Sequence, residues 1–461
     1  MSSTLTAPPL KSLQDAALKE KLQELRRTDN FSNLYYLLRT YLYLAIVLGG
    51  AVGFDLYRQS AGWSWLVSVP VFFAAIVLVG AGQHQLSSLA HEGSHHILFR
   101  NRYLNELGSD LLCMYPMFSS TYHYRLQHLA HHQFVNDPLR DPDVSQLETS
   151  GHRLPFPMEK KAIRRALLKQ LWPMHLIRFM RVRAAYNATG TDKNPYMRKG
   201  QKSSKVAVLV GLFGILAQVI AVTVFVRLEQ PFWLAVVPPA LFAVVAVVFA
   251  VLPSSKYTQS RLHSVIHLRW LSVLRVGFIS VVFNSLGWIE LLTGQWAALY
   301  YILLWVVPLF TSFSFFMILR QTVQHGNADR GLLSNTRVFF VNRFINFAVF
   351  PLGQDFHLPH HLYATVPHFR LRRLHELLLT YPEYREKALE VHGYFVPEHQ
   401  PPTHPTVLDV LGPEYAAKEF HGVHIDNSVL EDCEVEEKAE IEKEGANEVR
   451  RLAEEAGVPG A

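Results

Sequence analysis

Charge is scarce in this 461-residue chain: Asp, Glu, Lys and Arg make up 18% of it, while 49% is hydrophobic. Soluble domains carry about 25% charged residues, so the composition excludes an ordinary soluble fold and points to a membrane protein. Cysteine is scarcer still. Cys113 and Cys433 stand at no metal or redox spacing, which excludes a disulfide framework and leaves both as bystanders. The opening stretch, "MSSTLTAPPLKSLQDAALKEKLQELRR", lacks the short apolar core and cleavage site of a secretory signal, so the first span is expected to act as the targeting signal. There is no internal repeat, Gly-rich phosphate loop, Ser nucleophile elbow or appended haem-binding module. The net charge is +6, but the basic residues lie beside apolar segments and not along a groove interleaved with aromatics. Nucleic acid is therefore excluded as a partner in favour of anionic lipid headgroups.

What the chain does have is long apolar runs. Five stretches, 35–54, 63–82, 206–226, 232–252 and 296–319, each approach the ~20 residues that cross ~30 Å of hydrocarbon. A sixth, 270–292, contains Arg275 and Asn284 and by composition suits either a span or an interfacial helix. Histidine-rich loops before Val206 and after Leu319 share a face only if the crossings between them are even in number, which requires the sixth to cross. Charge agrees. Lys19, Lys21, Arg26, Arg27, the basic residues between Arg100 and Lys205, and Lys256, Arg261 and Arg269 fall on one side, leaving little but Arg58 and Arg227 on the other. The expected fold is all-α: a polytopic membrane protein of about six transmembrane helices, with a cytoplasmic histidine-rich region and both termini cytoplasmic. Residues 1–34 form an amino-terminal segment, 35–379 the membrane domain, and 380–461 a carboxy-terminal tail. The acidic end of that tail reads as a solvated helix or a disordered segment. "LGSDLLCMYPMF", residues 107–118, is too short to cross and reads as a re-entrant or interfacial element.

Histidine is the other abundance, at 23 residues. Three clusters stand out: "HEGSHH" at His91–His96, "HLAHH" at His128–His132 and "HLPHH" at His357–His361. Positions i, i+3 and i+4 share a helix face, so His128, His131 and His132 are expected to point at one centre, as are His357, His360 and His361, with His91 and His95 a further pair. At this histidine frequency one H-x-x-H-H match is expected roughly 0.06 times along the chain, which makes two by coincidence a poor explanation. Neither helix capping nor pH sensing calls for eight imidazoles at ligand spacing. So many ligands suit two ions with open positions better than one zinc; imidazole alone does not choose among iron, zinc, copper and nickel.

"HEGSHH", "HLAHHQFVNDPLRDPD" and "QDFHLPHHLYATVPHFRL" resemble the three histidine boxes of the membrane fatty acid desaturase superfamily, in order and in placement relative to paired spans. The resemblance covers about residues 35–379. It implies two iron ions held by His91, His95, His128, His131, His132, His357, His360 and His361, with His325 of "QTVQHGNADRG" as a ninth ligand. Members often carry E-H-G there; Gln324 replaces the acidic neighbour. Carboxylates and an amide that would orient the ligands are Glu92, Asn136, Asp137, Asp141, Asp143 and Asp355. Pro359 stands where many relatives have glutamate and belongs in a first helical turn, so the third helix is expected to begin at about His357 or Leu358. His96 takes a position where relatives often have glycine, and His84, His123, His368 and His375 read as pocket, supporting or structural residues.

The resemblance further implies that iron and O2 supply the power to break an unactivated C–H bond, which no side chain has. Two hydrogens would leave adjacent carbons of an acyl chain held in a dry tunnel. The substrate would be a membrane lipid or acyl compound, and electrons would come from a separate protein such as ferredoxin or cytochrome b5. A hydroxylase or ketolase of the same superfamily, acting on a carotenoid or sphingolipid, is the nearer alternative. A metal transporter is the distant one, and it would need ionisable residues along a path at midplane, where these spans have almost none.

Overall fold

The computed structural model describes residues 12–190, 194–198, 204–416, 422–427 and 435–455. Residues 1–11 and Cys433 lie outside them. A short helix α1 (Ala16–Leu25) precedes the first span, α2 (Ser32–Ser60). The second span begins with a 3-10 turn at Trp65–Val67 and continues as α3 (Ser68–Ser94). α4 (Arg102–Ser109), a π turn (Asp110–Met114) and a 3-10 turn (Tyr115–Met117) lead to α5 (Thr121–Gln133), so 107–118 does not cross. α6 (Pro142–Ser150), α7 (Lys160–Lys169) and α8 (Pro173–Thr189) complete the long loop. α9 (Val206–Arg227), α10 (Pro231–Val251) and α11 (Leu268–Thr293) are the third to fifth spans, packed on one another. The sixth runs through α12 (Ala297–Tyr301), a π turn (Ile302–Val306), α13 (Val307–Phe310) and α14 (Ser312–Gln324). The chain is thus an all-α polytopic membrane protein with six spans, and the region around Arg275 and Asn284 lies within a crossing helix.

Beyond the spans, β1 (Val338–Phe340), α15 (Arg343–Ala348), α16 (His357–Leu362), α17 (Leu371–Leu378), α18 (Pro382–Lys387) and β2 (Glu390–His392) follow, with β1 and β2 paired in parallel. Two further helices are α19 (Val407–Val410) and α20 (Val435–Glu455). The acidic end of the chain departs from the expected solvated or disordered tail. Ile441 of α20 is fully buried in a cluster with Tyr196 and Leu262, and Arg261 pairs with Glu440 at 3.3 Å. Ile441 and Glu448, seven positions apart on one helix face, dock the helix, the latter 3.9 Å from Arg140, although its composition alone reads as solvated.

Two features hold the spans in register. At the ends of α2 and α3 remote from the histidines, the Asp55 carboxylate accepts from Arg58 Nε (2.9 Å), Gln59 Nε2 (2.9 Å), Ser68 Oγ (2.5 Å) and Tyr300 Oη (2.7 Å), joining three spans. Halfway along α3, a Cβ on Gly80 would stand 2.1 Å from Ser312 Oγ and 2.7 Å from the Phe313 backbone nitrogen. Only glycine lets α3 and α14 approach this closely. Gly80→Val is expected to destabilise by at least about 1–3 kcal/mol through overpacking, read as a fall in the thermal midpoint in detergent. An unchanged midpoint would contradict this account of the crossing.

Cys113 is buried in the apolar cluster around Leu86, Leu89 and Phe99, a packing role.

Candidate metal centre

Each histidine cluster sits near the end of a helix, where chain direction and packing bring three remote segments to one place. His91 lies in the last turn of α3 and His95 just after it; His128, His131 and His132 occupy the second half of α5; His357, His360 and His361 belong to α16. α16 starts at His357 with Pro359 in its first turn, as the proline predicts. His325 follows the last residue of α14.

The nine imidazoles form two groups. His91, His95, His128, His132 and His360 make one, His131, His325, His357 and His361 the other, and within each the potential ligand atoms lie within 4.8 Å of one another. In the first, Nε2–Nε2 distances are 2.9 Å for His95–His128, 3.1 Å for His128–His132 and 3.0 Å for His132–His360. In the second they are 3.2 Å for His131–His325, 2.9 Å for His325–His357 and 3.1 Å for His357–His361. The groups adjoin, since the His132 and His361 rings stack with centroids 4.2 Å apart.

This divides each triad that spacing alone directs at a single centre. In α5 and α16 alike the i,i+4 pair stays together while the i+3 histidine joins the other group. At about 100° per residue, i+4 lies 40° to one side of i and i+3 lies 60° to the other, so a helix pointed between two centres serves both.

Burial sets the protonation of this array. Desolvation holds His95, His128, His132, His325, His357 and His361 well below the usual imidazole range, and His360 at about 3. Their lone pairs are free at neutral pH. Burial opposes charge at His131 too, but the Asp141 carboxylate more than offsets it and lifts the pKa to about 9. Both Asp141 oxygens lie 3.0 Å from His131 Nδ1, which directs Nε2 toward the second group. His325 Nδ1 donates to the Asn335 carbonyl at 3.0 Å with the same result. Both nitrogens of His91 are buried without a hydrogen-bond partner among the described residues. Imidazole nitrogens converging from every side, with one ring wholly unsatisfied, fit two metal ions.

The supporting residues named from sequence separate in space. Besides holding His131, the Asp141 carboxylate accepts from the backbone of Asp143 and Asn136 and so caps α6. Glu92 accepts from the His368 backbone at 2.8 Å and lies 3.6 Å from His91 Nδ1. The Asp143 side chain receives Gln321 Nε2 at 3.3 Å, and Asn136 donates to the carbonyls of Asp329 and Asn335. Asp137 is bound to Arg140 and Arg330, bracing the loop one step away. Asp355 points elsewhere: its carboxylate accepts from Asn346 at 2.8 Å and borders a separate cavity with Tyr36 and Arg372. Residues 351–355 are turns, so nearness in sequence to His357 carries no shared face.

Among the remaining histidines, His84 Nδ1 meets the Ala348 carbonyl at 2.7 Å and His123 meets Thr258 at 2.9 Å. His368 meets Asn33 at 3.1 Å, and His375 bonds Tyr384 and Glu390. His96 adopts φ 57°, which suits the glycine of relatives, and lies 3.5 Å from Glu106.

Sequence reasoning passed over Arg125. Its fully buried guanidinium donates to the Ser94 carbonyl (2.9 Å, Nε) and the Gly93 carbonyl (2.8 Å, Nη2) and pairs with buried Glu106. It closes the carboxy-terminal end of α3 between His91 and His95. The available signal was an Arg three positions before His128 and a Glu in the linker between the first two clusters. Arg125→Met leaves Glu106 buried without its partner and is expected to destabilise by about 3–5 kcal/mol, measured by denaturant unfolding in detergent.

A cavity of about 770 Å³ opens onto the imidazoles, reaching His91 and His128 of one group and His131, His325 and His357 of the other. Its walls combine polar and apolar surface. Gln127, Asn136, Asp143, Arg183, Arg320 and Gln321 line it together with Tyr124, Val144, Leu147 and 154–156. Arg320 is buried, with Nε and Nη1 lacking a partner among the described residues.

Six spans whose ends carry two adjoining imidazole groups beside a substrate-sized cavity define a membrane protein with histidine clusters capable of binding metal. The model of the family described as Fatty acid desaturase matches residues 63–271 and 254–392, and the chain belongs to that family. It is similar to the dihydrorhizobitoxine desaturase of Bradyrhizobium elkanii, at 22% identity over 395 residues, 83% of this chain and 86% of the relative. It is also similar to a Delta(5) fatty acid desaturase of Caenorhabditis elegans, at 36% identity over 73 residues and 16% of each chain. A fatty acid desaturase 2-like protein of Mus musculus matches at 29% identity over 161 residues, 34% of this chain and 32% of the relative.

Proposed function

We propose that the protein is an O2-dependent desaturase that converts a saturated carbon–carbon bond of an acyl-type chain to a double bond. The observation that carries this is the pair of buried imidazole groups facing one cavity. The balanced reaction takes R–CH2–CH2–R′, O2, two electrons and two protons to R–CH=CH–R′ and two waters. Two iron ions held by the nine histidines supply the O2 chemistry. The chain's own part is to keep the imidazoles other than His131 neutral by burial, to orient His131 through Asp141 and His325 through the Asn335 carbonyl, and to position the substrate in the cavity. The two electrons come from a separate donor protein of the ferredoxin or cytochrome b5 kind, and the histidine face is cytoplasmic, where most of the basic residues lie.

One observation favours an anionic group on the substrate. The cavity mixes polar and apolar wall in similar measure, and a buried arginine stands in its polar part. Arg320, buried with free donors beside the imidazoles, suits a carboxylate or phosphate. Arg320→Gln is expected to raise KM for such a substrate about tenfold or more while kcat changes little, as loss of a charge-assisted hydrogen bond made equally before and during reaction. The test is expression in a host of simple lipid content, with lipid and water-soluble extracts compared by mass spectrometry. New species lacking two hydrogens in either extract support the desaturase, and the extract in which they occur decides the substrate class. Species gaining one oxygen instead would make the protein a hydroxylase. No new species from iron-loaded protein would refute the reading.

A further inference from the structure

Outside the two imidazole groups, Glu390 and His392 of β2 and His404 of the segment that returns beside it place three ligand atoms within 4.8 Å of one another. His392 Nε2 lies 3.6 Å and His404 Nε2 3.9 Å from the same atom, Glu390 Oε2. The two rings stack with centroids 4.0 Å apart. Zinc bonds of about 2.0–2.1 Å in a tetrahedral site put ligand atoms about 3.3 Å apart, so both imidazole nitrogens lie within about 0.6 Å of ligand spacing from the carboxylate oxygen.

The far sides of these groups are already engaged. Glu398 Oε2 lies 3.3 Å from His392 Nδ1, His375 Nε2 lies 3.1 Å from Glu390 Oε1, and Thr403 Oγ1 lies 3.0 Å from His404 Nδ1. A carboxylate on Nδ1 keeps the proton there and leaves Nε2 of His392 as a bare lone pair. That Nε2 is buried, has no hydrogen-bond partner among the described residues, and faces a carboxylate oxygen. Two lone pairs facing each other repel unless a proton or a cation stands between them. The supporting carboxylate on the remote nitrogen is the arrangement that fixes a metal-binding imidazole.

We propose that Glu390 Oε2, His392 Nε2 and His404 Nε2 bind one divalent cation of the zinc class, with water completing the coordination. Mixed imidazole and carboxylate ligands suit zinc, and His404, 41% exposed, leaves an entry path. The chain around the site is already paired, His392 N to the Pro405 carbonyl at 2.8 Å and Val407 N to the Gly393 carbonyl at 3.0 Å. The ion clamps the segment 393–405 onto β2, and with it Glu398, which borders the cavity containing Arg39 and Arg372.

The test uses the full-length, iron-loaded protein in detergent, dialysed to equilibrium against zinc chloride buffered with a competing chelator. The wild type is expected to take up one more zinc per chain than His404→Ala, whose side chain is exposed enough to leave the fold intact. Glu398→Gln weakens uptake about 10–100-fold. Zinc slows proteolysis within 393–405 in the wild type and not in His404→Ala, while iron content is the same in both. Equal zinc uptake by wild type and His404→Ala overturns the proposal, because zinc lodged in the nine-histidine centre affects both proteins alike; the three side chains are then a structural cluster that holds no metal.

Discussion

His360→Ala is expected to abolish product formation and to lower iron from two toward one or fewer per chain. His360 is the residue through which α16 reaches the five-imidazole group: its Nε2 lies 3.0 Å from His132 Nε2 and its ring centroid 4.5 Å from that of His91. Removing it takes away a ligand and leaves a space among buried, neutral imidazoles that water enters. Loss of a supporting residue alone costs about 10–100-fold in metal affinity, so loss of a ligand is expected to cost at least that. The measurements are iron per chain by elemental analysis and product by mass spectrometry, with circular dichroism to show that the helices persist. Full iron content with unchanged product would remove His360 from the centre and undermine the assignment of the whole cluster.

Asp141→Asn separates two jobs that one carboxylate performs. As the cap of α6 it accepts from the Asp143 backbone, which an amide oxygen does nearly as well, so the cap itself is expected to lose less than about 1 kcal/mol. As the partner of His131 it supplies negative charge on both sides of Nδ1, which an amide cannot. Iron affinity of the four-imidazole group is therefore expected to drop about 10–100-fold in a chelator competition. If affinity were unchanged while stability fell by several kcal/mol, Asp141 would be a structural residue only.

The spans and the histidine clusters were legible because both are local. Twenty apolar residues have one inexpensive environment whatever surrounds them, and an even number of crossings between 206 and 319 follows from where the clusters must lie. Asp141 was legible as well, since its D-P-D setting belongs to the second box. Arg125 and Glu106 were not, because a buried ion pair has no periodicity and each residue alone reads as a loop charge. Nor was the partner of His325, which is a backbone carbonyl that any residue at 335 would offer. Asp355 misled for the opposite reason: it is two residues from a ligand, but through turns those residues point it at Asn346.

Residue type and spacing by themselves determined that this chain crosses a membrane six times and gathers nine imidazoles, because hydrophobic length and helical periodicity act within one segment. Only the tertiary structure decided that each histidine triad is shared between two groups, that a cavity of mixed polar and apolar wall opens beside them, and that the acidic tail helix docks. Those depend on helix orientation to within tens of degrees and on contacts such as His132 with His361, 229 positions away, which no local pattern encodes.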